Sequence, residues 1–449
     1  MGKRKKTDPF LSVLEHALDL GEFISYNLAW EFVQNLEEVK QKIDALVEDG
    51  QAERAVSLYE IFLSGCYEKA DEIDDSGGNL GMFFEDLFCA WIIARQKAKF
   101  DPAETVQNIL NWMDNDDYGF CYEIERDMVK VLDKKSMKLF ETAIESRFEK
   151  AYRTVDQKKC KRIFDYPWEV LKNVSILKVI YVELKDTNAY LALCEKTGTT
   201  PKDCENIANI YKVKRKYLYA LNWVEKGLKL EKEGNWGNES NFGLSDLQQD
   251  LLNKLGRRGD AFSLAWIEFK KHLSSISYDK LMKFVDRKDV KLWHQKALEK
   301  AKDKSLSGFI DICVKTKEWD KLAEHISSID TEPLEDLSHY TTEKAAKGLT
   351  KTHGQAAAKI YSALGMRILK SGKSKYYRYA LEHFRMVRKL YEKAGRNQLW
   401  MDLVERVRRN HSRKYSFIPD FEKIVAGHSL KKPESFEKRA LKRWKKQTT

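Results

Sequence analysis

The sequence predicts an all-α fold, an α-solenoid of helix hairpins, on three observations. Its 449 residues include only seven prolines and 22 glycines, fewer than the usual ~5% and ~7%, so helices can run long. No segment alternates apolar and polar residues between turn signals, as a half-buried strand would. Finally, Tyr219-Ala220-Leu221-Asn222-Trp223-Val224-Glu225 aligns with Phe262-Ser263-Leu264-Ala265-Trp266-Ile267-Glu268, 43 residues later. Aromatic, Leu, Trp, β-branched residue and Glu recur in order.

Helix starts are written at the prolines. Asp8-Pro9, Asp101-Pro102 and Thr200-Pro201 each put a capping side chain before a proline at the first helical position, where its missing N–H is not needed. Leu36, Val39, Ile43 and Leu46 form one apolar stripe that ends at Gly50, and Ala52, Ala55, Val56, Tyr59 and Phe62 form the next. The short polar turn between them predicts an antiparallel hairpin. After the break at Asp74-Asp75-Ser76-Gly77-Gly78-Asn79, helices are expected over 80–97 and 102–113, closed by Asp114-Asn115-Asp116-Asp117-Tyr118-Gly119. Ser245 with Gln248 has the spacing of a capping box.

The stretch Tyr217 to Leu230 is expected to be the inner helix of a hairpin. A looser copy is Trp319-Asp320-Lys321-Leu322-Ala323-Glu324, and Tyr377-Arg378-Tyr379-Ala380-Leu381 copies Tyr217-Leu218-Tyr219-Ala220-Leu221. Spacing near 40 residues, with a small residue where the second helix crosses the first, resembles a degenerate tetratricopeptide-like array. In this reading Trp223 and Trp266 are packing wedges. Further helices are expected over 356–369, 376–394 and 399–409, with a shorter one from Pro419 to about Val425. The chain divides into a basic arm (1–7), an N-terminal helical region (8–153), a C-terminal helical-repeat region (154–427) and a basic tail (428–449).

The segments EDGQAERAVSLYE and ADEIDDSGGNLG between Asp44 and Gly81, the Asp116-Asp117-Tyr118-Gly119 turn and KSKYYRYALEHFRMVRKLYEKAGRNQLW from Lys373 carry a family resemblance. Together they resemble an uncharacterised bacterial all-helical family commonly fused downstream of SWIM-type zinc fingers. The chain contains no CxC followed by CxH, so the finger's binding functions are not implied here.

Candidate chemical motifs read as structure. Gly372-Lys373-Ser374 lacks the glycine of a phosphate loop, Arg367 standing in its place, and follows a helical segment. The acidic clusters at Asp71, Glu72, Asp74 and Asp75 and at Asp114, Asp116 and Asp117 lack calcium-loop spacing and suit caps and turns. No HExxH or CxxC occurs, so no catalytic residue, metal or cofactor is expected. The seven widely spaced cysteines suggest reduced thiols in a cytoplasmic protein. No apolar run approaches the ~20 residues of a membrane span, and acidic residues interrupt any export signal after the basic start.

Charge is uneven. From Tyr361 onward, 24 Lys and Arg face 8 Asp and Glu, whereas the rest of the chain is slightly acidic. Two functions follow as expectations. The first is a non-catalytic scaffold or adaptor that binds a protein partner along a groove of inner helices. The alternative is a nucleic-acid-binding accessory protein using the basic end. Its candidate contacts are Lys3, Arg4, Lys5, Lys6, Arg406, Arg409, Arg413, Lys414, Lys438, Arg439, Lys442, Arg443 and Trp444, with Trp400 and Tyr415 as further aromatic platforms.

Overall fold

The computed structural model describes residues 8–156, 160, 163–234 and 242–427, and among these the fold is all-α. Cα packing divides the chain into two units, one ending at Leu251 and one starting at Leu252. The boundary expected between 153 and 154 falls inside the first.

The first unit comprises α1 (Pro9–Leu18), α2 (Tyr26–Glu48), α3 (Ala52–Glu68), α4 (Asn79–Lys97), α5 (Pro102–Asp114), α6 (Glu125–Val131), α7 (Lys134–Arg153), α8 (Trp168–Glu183), α9 (Thr187–Thr197), α10 (Pro201–Val213) and α11 (Tyr217–Glu233), followed by α12 (Phe242–Lys254). Each apolar stripe needs cover, and the helices supply it in two layers. Helices α2, α4, α6, α8 and α10 pack successively on one another, while α1 packs on α3 and α5 on α7. One buried apolar cluster runs from Leu14 to Ile210 through this unit.

The second unit contains α13 (Arg258–Lys271), α14 (Ser275–Phe284), α15 (Val290–Lys304), α16 (Leu306–Thr316), α17 (Trp319–Ser328), α18 (Glu332–Glu335), α19 (His339–Leu349), α20 (Gly354–Ser371), α21 (Tyr377–Lys393), α22 (Asn397–His411) and α23 (Ile418–Val425). Here α14 packs on α16, α16 on α19, α17 on α20, and α20 on α21. Ala380 is fully buried on α21, and Gly365 on α20 admits the Phe384 ring of the same helix pair, where a Cβ would lie 2.6 Å from it. Small residues therefore set the approach of the two helices.

One local device recurs at the turns. At each, the residue after a left-handed position donates its N–H to the carbonyl five positions back, a 6→1 closure that satisfies an otherwise orphaned helix-end acceptor. The bonds are Gln51 to Leu46, Phe100 to Arg95, Asp186 to Tyr181, Lys216 to Tyr211, Arg257 to Leu252, Glu318 to Cys313 and Arg396 to Tyr391, at 2.8–3.0 Å. The left-handed residues are Gly50, Lys99, Lys185, Arg215, Gly256, Lys317 and Gly395, with φ between 56° and 80°. The same closure ends α2, α4, α8, α10, α12, α16 and α21.

The proline starts behave as expected. Asp8 and Asp101 cap α1 and α5 through side-chain bonds, and Thr200 with Asp203 forms a full capping box on α10. The box expected at Ser245 and Gln248 does not form, because α12 already begins at Phe242 and places Ser245 within the helix. Capping follows where the helix begins, and spacing alone does not locate that point. The repeat tryptophans act as wedges with a wet edge. Trp223 and Trp266 are half-buried, and Trp319 lies so close to Gly348 that a Cβ there would sit 2.2 Å from its ring.

Candidate docking groove and the basic face

Helix α3 buries one side in the core and leaves the stripe Ser57, Glu60, Ile61, Ser64 and Glu68 exposed. These positions fall at helical spacing, so they share one face. Two depressions meet on that face, sharing Ser57, Glu60 and Ser64. One, of about 810 Å³, is walled by Leu14, Glu15, Leu18 and Asp19 of α1. The other, of about 660 Å³, is walled by Glu104, Asn108, Asn111 and Trp112 of α5, with Tyr67 at its end. From Ser57 to Glu68 the floor extends about 16 Å at ~1.5 Å per residue.

The floor of the second depression is rigid. Arg95 is only 2% exposed, and each of its guanidinium nitrogens has a partner: Nε donates to Thr105 Oγ1 at 3.0 Å, Nη1 to Glu60 Oε1 at 3.0 Å and Nη2 to Glu104 Oε1 at 2.8 Å. The plane lies between Trp91 and Phe100, 5.4 and 4.4 Å from their ring centres. Trp91 Nε1 donates to the same Glu60 oxygen at 3.2 Å. A buried cation with each of its nitrogens hydrogen-bonded is held in place, so α3, α4 and α5 are tied together around the groove. The wall is aromatic where Tyr67 meets Trp112 and Tyr118 edge-on at 5.7 and 4.9 Å.

Polar groups in the groove are only partly used. Asn111 accepts from Gln107 at 2.9 Å, and Asn115 Nδ2 turns back to the Asn111 carbonyl at 2.7 Å. The Asn108 amide has no hydrogen-bond partner among the described residues. Glu15, Asp19 and Glu68 are exposed and form no ion pair among the described residues. The Lys69 ammonium is held by Glu72 at 2.7 Å.

The candidate nucleic-acid contacts do not come together as one described surface. Lys3, Arg4, Lys5, Lys6, Lys438, Arg439, Lys442, Arg443 and Trp444, with the tail 428–449, lie outside the described residues. Arg406 turns inward, donating to the fully buried Glu335 carboxylate at 2.6 Å and pairing with Glu332 at 3.1 Å. Lys370 Nζ faces the other Glu335 oxygen at 2.7 Å, as a charge contact out of hydrogen-bonding line. Lys414 donates to Tyr377 Oη at 3.3 Å with its ammonium above that ring. Arg409 and Arg413 are exposed. Trp400 is not an aromatic platform: it is 4% exposed and tilts against Phe421 in the core between α22 and α23. Tyr415 is 83% exposed.

The acidic turns work as caps. Asp75 accepts from the N–H groups of Leu80 and Gly81, and Asp116 from those of Gly119, Phe120 and Cys121, at 2.6–3.1 Å. Asp114 makes a two-point pair with Arg147. Burial pushes the thiols of Cys89, Cys121, Cys194 and Cys313 up to about 12 and Cys204 to about 11. At neutral pH they are thiols and poor nucleophiles. Among the described residues no helix is long and apolar enough to cross a membrane.

One constellation was invisible in the sequence. Tyr278 Oη lies 2.8 Å from His294 Nδ1, whose Nε2 lies 2.9 Å from Glu318 Oε1. His294 and Lys321 hold the Glu318 carboxyl below its ordinary range. As an ionised carboxylate only accepts, the Nε2–H of His294 donates to Glu318. The three residues fasten α14 and α15 to the start of α17. They are 16 and 24 positions apart, so no local motif announces them.

No curated protein matches the chain. Among solved structures, that of Naa15/Naa10 bound to HypK-THB is similar at 14% identity and a TM-score of 0.33, covering 93% of this chain and 67% of that one. A circular tandem repeat protein is similar at 13% identity and a TM-score of 0.19, over 93% and 96% of the respective chains. A monomeric mutant of IFIT1 with Gppp-AAAA is similar at 14% and 0.16, over 89% and 94%. A family-level match covers residues 19–419, nearly the whole described fold, and the chain therefore belongs to the family of unknown function DUF6880.

Proposed function

We propose that this protein is a non-catalytic helical-repeat scaffold that binds another protein on its α3 groove. The observation that carries the reading is the exposed stripe of α3, which forms the floor of two adjoining depressions walled by α1 on one side and α5 on the other. Ile61, 46% exposed at its centre, gives a partner apolar area to bury, worth about 1 kcal/mol, roughly half the value of transferring a fully exposed side chain. Rigid groove walls limit the ordering cost of association. Stacked hairpins present such extended surfaces without a reaction centre. The cytoplasmic location expected from the cysteine usage belongs to the same proposal.

The test is crosslinking in the native cell with the tagged full chain, comparing wild type with Ile61→Arg. A protein captured by wild type and lost from the variant supports the scaffold reading. If wild type crosslinks to no protein above an untagged control, the reading fails.

A further inference from the structure

We infer that the occupant of the α3 groove is an extended polypeptide segment rich in lysine or arginine, held along its backbone by the α5 asparagines. The inference rests on the scaffold reading above and adds the chemistry of the partner.

Charge argues first. The two depressions are lined by five carboxylates, Glu15, Asp19, Glu60, Glu68 and Glu104, against two cations, Lys69 and Arg95. Both cations are already neutralised, Lys69 by Glu72 and Arg95 by Glu60 and Glu104. Glu60 and Glu104 still have 48% and 57% of their side chains exposed. The surplus negative charge therefore faces the groove, which favours a cationic segment and repels an acidic one.

Shape and hydrogen bonding argue second. A floor of about 16 Å matches about five extended residues at ~3.3 Å each. Ser57 and Ser64 keep the floor low on either side of Glu60 and Ile61. Along one wall, Glu104, Asn108, Asn111 and Asn115 fall at helical spacing on a single face of α5 and just beyond its end. A primary amide carries a donor and an acceptor, the pair that a peptide group needs. Asn108 has no partner among the described residues, so its amide is available to a passing backbone. Ile61 on the floor and Trp112 on the wall would meet the aliphatic stems of long basic side chains.

The experiment uses the full-length protein and fluorescein-labelled ten-residue peptides: one alternating Lys and Ala, one alternating Glu and Ala, and one alternating Ser and Ala. Anisotropy should show binding of the lysine peptide only, weakening at least tenfold between 50 and 300 mM salt. The exposed double variant Glu15→Lys/Glu68→Lys should lose at least tenfold in affinity, and Asn108→Ala/Asn111→Ala several-fold, with melting temperatures of wild type as the control for folding. Should either variant misfold, Ser64→Arg, which fills the groove from an exposed position, replaces it. Equal binding of the three peptides, no binding of the lysine peptide, or full affinity in correctly folded variants would overturn the inference. If the in-cell partner is captured equally by wild type and Glu15→Lys/Glu68→Lys, the scaffold stands and this occupant is wrong; if wild type captures nothing, the scaffold itself falls.

Discussion

Replacing Arg406 by methionine should unfold part of the second unit more readily while leaving its exposed basic face nearly unchanged. The guanidinium is 2.6 Å from Glu335, a carboxylate whose side chain has 0% exposure, and 3.1 Å from Glu332. Breaking a buried pair from one side costs about 3–5 kcal/mol because it strands the other charge. Lys370 still faces Glu335 at 2.7 Å, so the loss should be smaller, about 2–3 kcal/mol. For a unit of this size that is a fall of roughly 4–10 °C in Tm, read by circular dichroism. Arg409→Met, at an exposed position, should stay within about 0.5 kcal/mol of wild type. Adding Glu335→Leu to Arg406→Met should recover most of the loss, since the stranded charge is then gone. Equal melting of Arg406→Met and Arg409→Met would refute the argument.

Other perturbations test the fold at single points. Lys185→Gly should stabilise the first unit by about 0.5–1 kcal/mol in urea titration, because φ of +56° is strained for lysine and free for glycine; Gly50→Ala, at φ +80°, should cost about 1 kcal/mol by the same argument. Gly308→Ala should cost about 1–3 kcal/mol, since its Cβ would sit 2.4 Å from the Leu273 carbonyl oxygen, which is backbone and cannot rotate away. His383 stacks on Tyr361, and burial pushes its imidazole down to about 4. The unfolded chain therefore binds the proton first: stability is full above about pH 6.5 and is lost as pH falls toward 4, by about 3 kcal/mol in total. His383→Gln should flatten that part of the pH profile of urea stability, and an unchanged profile would contradict it.

The helices were legible because their signals are local. Asp8-Pro9, Asp101-Pro102 and Thr200-Pro201 fix a helix start within two or three residues, and α1, α5 and α10 begin there. The echo of Trp223 in Trp266 marked a repeat because wedge packing imposes the same residue at the same helical position. The turns were harder to read. Gly50, Gly256 and Gly395 announce a left-handed residue, but Lys99, Lys185, Arg215 and Lys317 adopt the same conformation without glycine, so nothing in their identity gives it away. Arg95 lies inside an apolar run and looks like an interruption. Only the return of α3 and α5 around it brings Glu60 and Glu104 to its nitrogens, across 35 and 9 positions. The groove was equally hidden: Ser57, Glu60 and Ser64 read as an ordinary solvated face, and that α1 and α5 rise on either side is a property of packing. Arg406 shows the converse error. Its basic neighbourhood suggested an anionic ligand, yet its anion is Glu335, 71 positions away.

The central claim is that the α3 groove takes a cationic partner segment. Isothermal titration of the full chain with the lysine–alanine peptide tests it most directly, beside the Glu15→Lys/Glu68→Lys variant in the same buffer. The account predicts one-to-one binding to wild type that weakens with salt and falls at least tenfold in the variant. Equal affinity for the two proteins, with both folded, would contradict it.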